Sequence, residues 1–269
     1  MGGALPFDYD TAAPLAYSDE GVVLRNGAVT VHNVSYRSRG KKVEAFLVQG
    51  PGKQARPAVV LVHGGGGDRT ELLGDAVALA HLGFVALAIT APSSAYPPPQ
   101  PTSVRELVNE SKAVTVDDVV AVRRAADVLE SLPVVDAKRL GYLGWSNGAK
   151  TGAFVAAADP RFQALALLSG GADKLAAFVK AAPADQRALV ARGLGSVDPL
   201  RYMAKARSGT VLLADGRRDT VVPRAALMNM IHAAPKGTLV RWYDTGHELN
   251  ASAYHGAFAW LVSKLHPTR

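Results

Sequence analysis

The chain has 269 residues, 48% of them apolar and 20% charged, with 30 Lys and Arg against 23 Asp and Glu for a net charge of +7, and it has no cysteine. That balance describes a globular chain whose core is large enough to need no covalent staple, and it argues against a disordered or fibrous one. The missing cysteine excludes disulfides, thiolate metal sites and a cysteine nucleophile together.

The only dense basic cluster, Arg37, Arg39, Lys41 and Lys42, has no interleaved aromatic residues, so the charge reads as solubility and no nucleic-acid partner is expected. Residues 1–10 lack a basic start followed by an apolar stretch, and no run of eighteen apolar residues occurs. Neither a leader nor a membrane span is therefore expected. The expectation is a soluble chain with the cytoplasm favoured, although a leader removed beforehand would leave the same sequence.

Apolar runs alternate with amphipathic stretches, the pattern of an α/β protein with a mostly parallel sheet. Residues 21–36 and 42–48 are β-rich and read as an antiparallel opening pair. Residues 57–62 form a short, continuous apolar run, as a strand buried on both faces should. Helical spacing follows over 71–82, then a strand over 84–90 that ends at a Pro-rich loop. A helix is predicted over 115–132, with Asp117 and Asp118 in its first turn and Pro133 after its end.

A strand over 139–145 runs into a helix over 147–158 with no room for an ordinary loop. Strands at 164–169, 210–214 and 238–243 and helices at 223–233 and 251–265 complete the chain. These elements make a single domain around a sheet of about eight strands, with helices on both faces. Residues 91–114 and 170–208 break the alternation. Both follow strands and so belong at the carboxyl edge of the sheet, where ligands bind in this class. They are read as the walls and lid of a pocket, the plain alternative being surface insertions.

Gly144-Trp145-Ser146-Asn147-Gly148 lies between a predicted strand and a predicted helix. A serine exposed at so sharp a turn needs strained backbone angles and flanking residues without side chains, and the helix behind it aims amides at developing negative charge. His63-Gly64-Gly65-Gly66-Gly67 follows the buried strand. Bare glycine amides there suit an oxyanion hole, with Gly65 the first choice of donor and Gly64 the second, the other donor being Asn147. A phosphate loop would want a lysine and a Ser or Thr after the glycines, which Asp68-Arg69-Thr70 does not provide. His63 reads as a brace for this loop.

A serine hydroxyl needs a base, and the base needs an orienting group. Among seven histidines, His247 stands out because it follows the last strand at the carboxyl edge and comes last in the order Ser, Asp, His. Asp219, beyond the turn after strand 210–214, is the choice of acid, with Asp215 the fallback and Asp244 third. An N-terminal helix cap is the plain alternative for Asp219. Tyr96, Trp145, Phe178 and Met203 are candidates for an apolar pocket or for ordinary core.

The strand-HGGGG loop, GWSNG, DGRRDTVVP and TGHEL, in that order, resemble the α/β-hydrolase superfamily and within it the dienelactone-hydrolase-like and acetyl-xylan-esterase-like branch. The resemblance implies an α/β-hydrolase fold, Ser146 as nucleophile, Asp219 as acid, His247 as base, and Asn147 with a glycine of the HGGGG loop as oxyanion donors, Trp145 adjoining them. It also implies no cofactor and no metal, and a small-molecule ester as partner. Dienelactone hydrolases proper carry cysteine where this chain has Ser146, which favours ester hydrolysis more generally. Amide cleavage, acyl transfer and a non-catalytic ligand-binding scaffold are the rival functions. Nothing in the sequence bears on oligomeric state.

Overall fold

A computed structural model of the chain describes residues 6–266; residues 1–5, which open the segment read for a leader, and residues 267–269 lie outside it. The sheet opens with β1 (Ser18–Asn26), β2 (Val29–Ser38) and β3 (Lys41–Gln49), three strands where a pair is expected from the sequence. The difference is local. Residues 21–36 look continuous, but Gly27 has a φ of 58° and turns the chain tightly between β1 and β2.

The remaining strands are β4 (Arg56–Val62), β5 (Val85–Ile89), β6 (Val135–Trp145), β7 (Phe162–Leu168), β8 (Val211–Gly216) and β9 (Leu239–Tyr243). Nine strands, one more than expected, form one sheet in the order β1-β2-β3-β5-β4-β6-β7-β8-β9. The β1–β3 ribbon is antiparallel and joins β5 antiparallel, whereas β5, β4, β6, β7, β8 and β9 are parallel throughout.

The helices are α1 (Leu73–His81), α2 (Pro92–Ala95), α3 (Val104–Ser131), α4 (Asn147–Ala158), α5 (Leu175–Ala181), α6 (Arg187–Gly195), α7 (Pro199–Met203), α8 (Arg224–Ala233) and α9 (Ala251–Leu265). Two of these depart from the sequence reading: α2 is a single turn where a Pro-rich loop is expected, and α3 starts early. The long helix begins at Val104 rather than near 115, so much of the 91–114 segment is helix, and its Ser111 lines a cavity described below. The Ser103 side chain accepts from the Glu106 amide, and the Glu106 carboxylate accepts from the amide and hydroxyl of Thr102. This reciprocal capping starts the helix three turns early, and its Ser-x-x-Glu signal stands in the sequence.

Alternation along the central strands divides two cores. Val60, Val62, Leu87, Tyr142, Leu165 and Leu167 face α3 and α4, while Val59, Leu61, Ala86, Leu143, Ala166 and Leu168 face α1 and α9. Every residue of β4 is buried, as a strand covered on both faces requires. Each fully buried Val or Leu contributes about 1.5–3 kcal/mol, so the sheet centre is the stable foundation of the site.

From β4 the chain crosses to β5 on one side, and β6 lies on the other. Their carboxyl ends therefore meet at a topological switch point, where the adjoining crevice is formed. The pairing of Val62 with Gly144 brings the HGGGG loop alongside the Ser146 turn. Three of the four basic residues are ion-paired at the surface: Arg39 and Lys41 share Asp117 at 2.7 and 2.8 Å, and Lys42 reaches Glu20 at 3.4 Å. Among the described residues no helix is long and apolar enough to cross a membrane.

Candidate active site

With β6 ending at Trp145 and α4 starting at Asn147, Ser146 alone makes the turn, at φ 55° and ψ −112°. Such a backbone costs a non-glycine residue about 1–3 kcal/mol and persists only where its surroundings enforce it. Here they do. A Cβ on Gly144 would run into the Gly148 carbonyl, and one on Gly148 into the Val62 carbonyl. The Gly148 amide donates to His63 O at 3.1 Å, the Ser146 amide to Leu168 O at 2.8 Å, and the Tyr142 hydroxyl to Gly148 O at 2.6 Å. Three adjacent strands thus hold the serine in place.

His247, on the loop after β9, lies with Nε2 2.9 Å from Ser146 Oγ and Nδ1 2.8 Å from Asp219 Oδ2. Asp219 follows β8, and its Oδ1 accepts from the amides of Val221 and Val222, both at 2.9 Å. Its side chain is only 1% exposed and that of His247 11%. The three residues separated in the chain are brought together. Helix capping, the plain alternative for Asp219, is not what the carboxylate does: α8 is capped at Pro223 without a side-chain bond, and Asp219 Oδ1 holds the turn before it while Oδ2 faces the histidine.

Asp215, at the end of β8, forms no such contact. Burial, aided by the nearby Asp219 charge, pushes its carboxyl up to about 7, with Arg224 opposing. A group half-protonated at neutral pH is poorly suited to be the fixed anion beside an imidazole. Asp244 lies at the surface against Arg218.

Two further residues hold the histidine loop. The His247 carbonyl accepts from Ser169 Oγ at 2.8 Å and from Trp145 Nε1 at 3.2 Å. Ser169 is fully buried with a φ of 51°, strained like Ser146 at the end of the adjacent strand. No sequence expectation covered it, though a Ser-Gly-Gly ending a buried strand was the available signal. Trp145 also stacks toward the His247 ring, with centroids 5.2 Å apart, and it occupies the space a Gly64 side chain would need.

In the HGGGG loop, His63 is buried and braces its surroundings as expected. Its Nδ1 lies 2.6 Å from the Gly64 carbonyl, and its Nε2 accepts from the Ala91 amide at 2.9 Å. The Gly64 amide donates to Glu71 Oε2 at 2.7 Å. Gly65 is exposed beside Asn147, and among the described residues neither amide has an intramolecular acceptor.

A cavity of about 300 Å³ has in its lining Lys150, one helical turn after Ser146 on α4, and none of Ser146, Asn147, Asp219 or His247. Thr115, Lys150 and Phe154 line it from α3 and α4, and Ala172, Phe178 and Leu194 from the 170–208 segment. Burial lowers the Lys150 pKa from its ordinary value, partly opposed by the Asp118 charge. Of the other pocket candidates, Met203 is fully buried core and Tyr96 is a surface residue donating to Lys42 O. Among the described residues no group of three or more His, Cys, Asp or Glu is placed to hold a metal ion.

The sequence model of the dienelactone hydrolase family matches residues 43–255. The chain belongs to that family. It is one of ester-cleaving hydrolases, and this member carries serine at the turn. Solved structures agree on the fold. An acetyl xylan esterase from Paenibacillus sp. R4 superposes with a TM-score of 0.80 at 20% identity, covering 94% of this chain and 90% of that one. Acetyl xylan esterase 1 from Thermoanaerobacterium sp. JW/SL YS485 gives 0.76 at 17% identity, covering 93% and 88%. A cold-adapted esterase from an Arctic intertidal metagenomic library gives 0.67 at 19% identity, covering 92% and 97%. No curated protein matches the sequence.

Proposed function

We propose that this dienelactone hydrolase family member cleaves small carboxylic esters through an acyl-enzyme on Ser146, with His247 as base and Asp219 as its orienting partner. The observation that carries the reading is the unbroken contact chain from Ser146 Oγ to His247 at 2.9 Å and from His247 to Asp219 at 2.8 Å. With Nδ1–H donated to Asp219, the imidazole presents a bare Nε2 to the hydroxyl, the tautomer that general-base catalysis needs.

His247 takes the Ser146 proton as Oγ attacks the ester carbonyl, then returns it to the departing alcohol. Water activated by the same nitrogen attacks the acyl-enzyme and releases the acid. The oxyanion of each tetrahedral intermediate is held by the amides of Gly65 and Asn147, which no intramolecular acceptor occupies among the described residues. Gly64 is not assigned this role because its amide is bonded to Glu71. Removing one such donor typically costs about 10²–10³ in turnover.

The cavity and its neighbouring 170–208 segment accommodate the acyl or alcohol group, Phe178 and Leu194 facing it. Ester cleavage is favoured over amide cleavage by the family. The esterase names of the structural neighbours point the same way.

The test is Ser146→Ala assayed on p-nitrophenyl acetate. Turnover is expected to fall on the order of 10⁴-fold or more with an unchanged melting temperature. Ester cleavage at the wild-type rate by a homogeneous variant would remove the assignment.

A further inference from the structure

We propose that Glu71 is a positioning residue, whose carboxylate fixes the glycine loop so that the Gly65 amide faces the developing oxyanion. The inference rests on the acyl-enzyme reading above.

Glycine backbones are mobile because no Cβ restricts them. Four in a row cannot by themselves keep one amide aimed at a point in space. Each peptide unit is planar, so the Gly64 carbonyl and the Gly65 N–H belong to one rigid plate and point in opposite directions. That carbonyl is held on its far side by His63 Nδ1 at 2.6 Å and by the Gly67 amide at 3.3 Å. The plate before it carries the Gly64 N–H, which Glu71 Oε2 holds at 2.7 Å.

Between these two fixed plates only the φ and ψ of Gly64 remain, and both ends of that pair are anchored. The direction of the Gly65 N–H is then determined. Glu71 reaches this position because Gly67 leaves room for it: a Cβ there would lie 2.7 Å from the same carboxylate oxygen. The loop and its clasp are adjacent in the chain, as Glu71 comes just before α1.

A negative charge close to an oxyanion opposes its formation. Glu71 therefore acts as a hydrogen-bond acceptor and not through its charge. Glutamine, with an acceptor at the same reach and no charge, should replace it. Alanine and methionine should not, the second preserving bulk.

The experiment compares wild type, Glu71→Ala, Glu71→Met, Glu71→Gln and Ser146→Ala, each as the full chain, on p-nitrophenyl acetate, with melting temperatures alongside. An aryl trifluoromethyl ketone, which adds the serine oxygen to its carbonyl and leaves an oxyanion, serves as second probe. In Glu71→Ala and Glu71→Met, kcat is expected to fall about 10- to 100-fold with KM within about threefold. Affinity for the ketone should weaken by a similar factor, and Glu71→Gln should stay within about threefold of wild type in both readouts. If alanine unfolds the chain, the methionine and glutamine variants carry the comparison. Wild-type kcat in a folded alanine or methionine variant overturns the proposal. So does a glutamine variant as impaired as alanine, or a loss confined to KM. Activity surviving in Ser146→Ala removes the underlying reading instead, so the two failures are distinguishable.

Discussion

The turn that carries Ser146 and the 170–208 segment beside it occupy the same edge of one sheet, but they are held in different ways. Around Ser146 the contacts are backbone to backbone, with Gly144 and Gly148 pressed against neighbouring carbonyls and the serine amide tied to the next strand. In the 170–208 segment α5 contains no buried residue and α6 only Val190. The chemistry thus rests on geometry that single methyl groups would disturb. In the cavity wall α5 and α6 are mostly unburied, and the tight approaches there, Gly171 on Val222 and Gly193 on Val108, are to side chains and not only to backbone carbonyls. Conformationally adjustable, weakly packed elements are where binding surfaces are usually built, on a rigid scaffold that carries the reacting groups.

The comparison is tested hardest at the scaffold. Asp219→Asn leaves its shape intact but disturbs the imidazole tautomer, and kcat is expected to drop on the order of 10⁴-fold. Asp215→Asn should change kcat by less than about tenfold; if it proves the more damaging of the two, Asp215 is the acid. Gly148→Ala places a methyl group against the Val62 carbonyl. A loss of about 3 kcal/mol or more by urea denaturation is expected, together with most of the activity. Wild-type stability there would mean that the turn is not tightly constrained. In the wall, Leu194→Trp should slow cleavage of long acyl esters several-fold while acetate esters and melting temperature stay nearly unchanged. Equal slowing of all chain lengths would disconnect the cavity from the substrate.

The smallest effect concerns stability. The carboxyl of Asp215 is raised to about 7 by burial and by Asp219. Between its unfolded pKa near 4 and that value, the folded chain binds the extra proton. Its ionised form is therefore a penalty absent at low pH, growing through the interval and complete above it. Asp215→Asn should melt progressively higher relative to wild type as pH rises from about 4 to about 7. A difference independent of pH would show that the group ionises freely.

The same contrast explains what could be read beforehand. The Ser146 turn and the HGGGG loop were legible because their geometry admits few residue types, and the strand-to-helix junction at 145–147 was visible for that reason. Asp219 and His247 followed from their places after strands. Glu71 is not legible because a carboxylate bonded to backbone leaves no residue pattern beyond its own identity, whereas Ser169 carries only the faint signal of a Ser-Gly-Gly ending a buried strand. The early start of α3 is obscured in the sequence because the Ser103–Glu106 cap follows directly on Pro-rich sequence that runs to residue 101 and because the first turns after it are polar. The turn at Gly27 was hidden inside a β-rich stretch.

The central claim is most directly tested by covalent labelling of the intact chain with a fluorophosphonate, followed by peptide mapping. One adduct per chain, on Ser146 and abolished by replacing His247 with alanine, is the result the account requires. A modification at another serine, or no modification of a catalytically active sample, would contradict it.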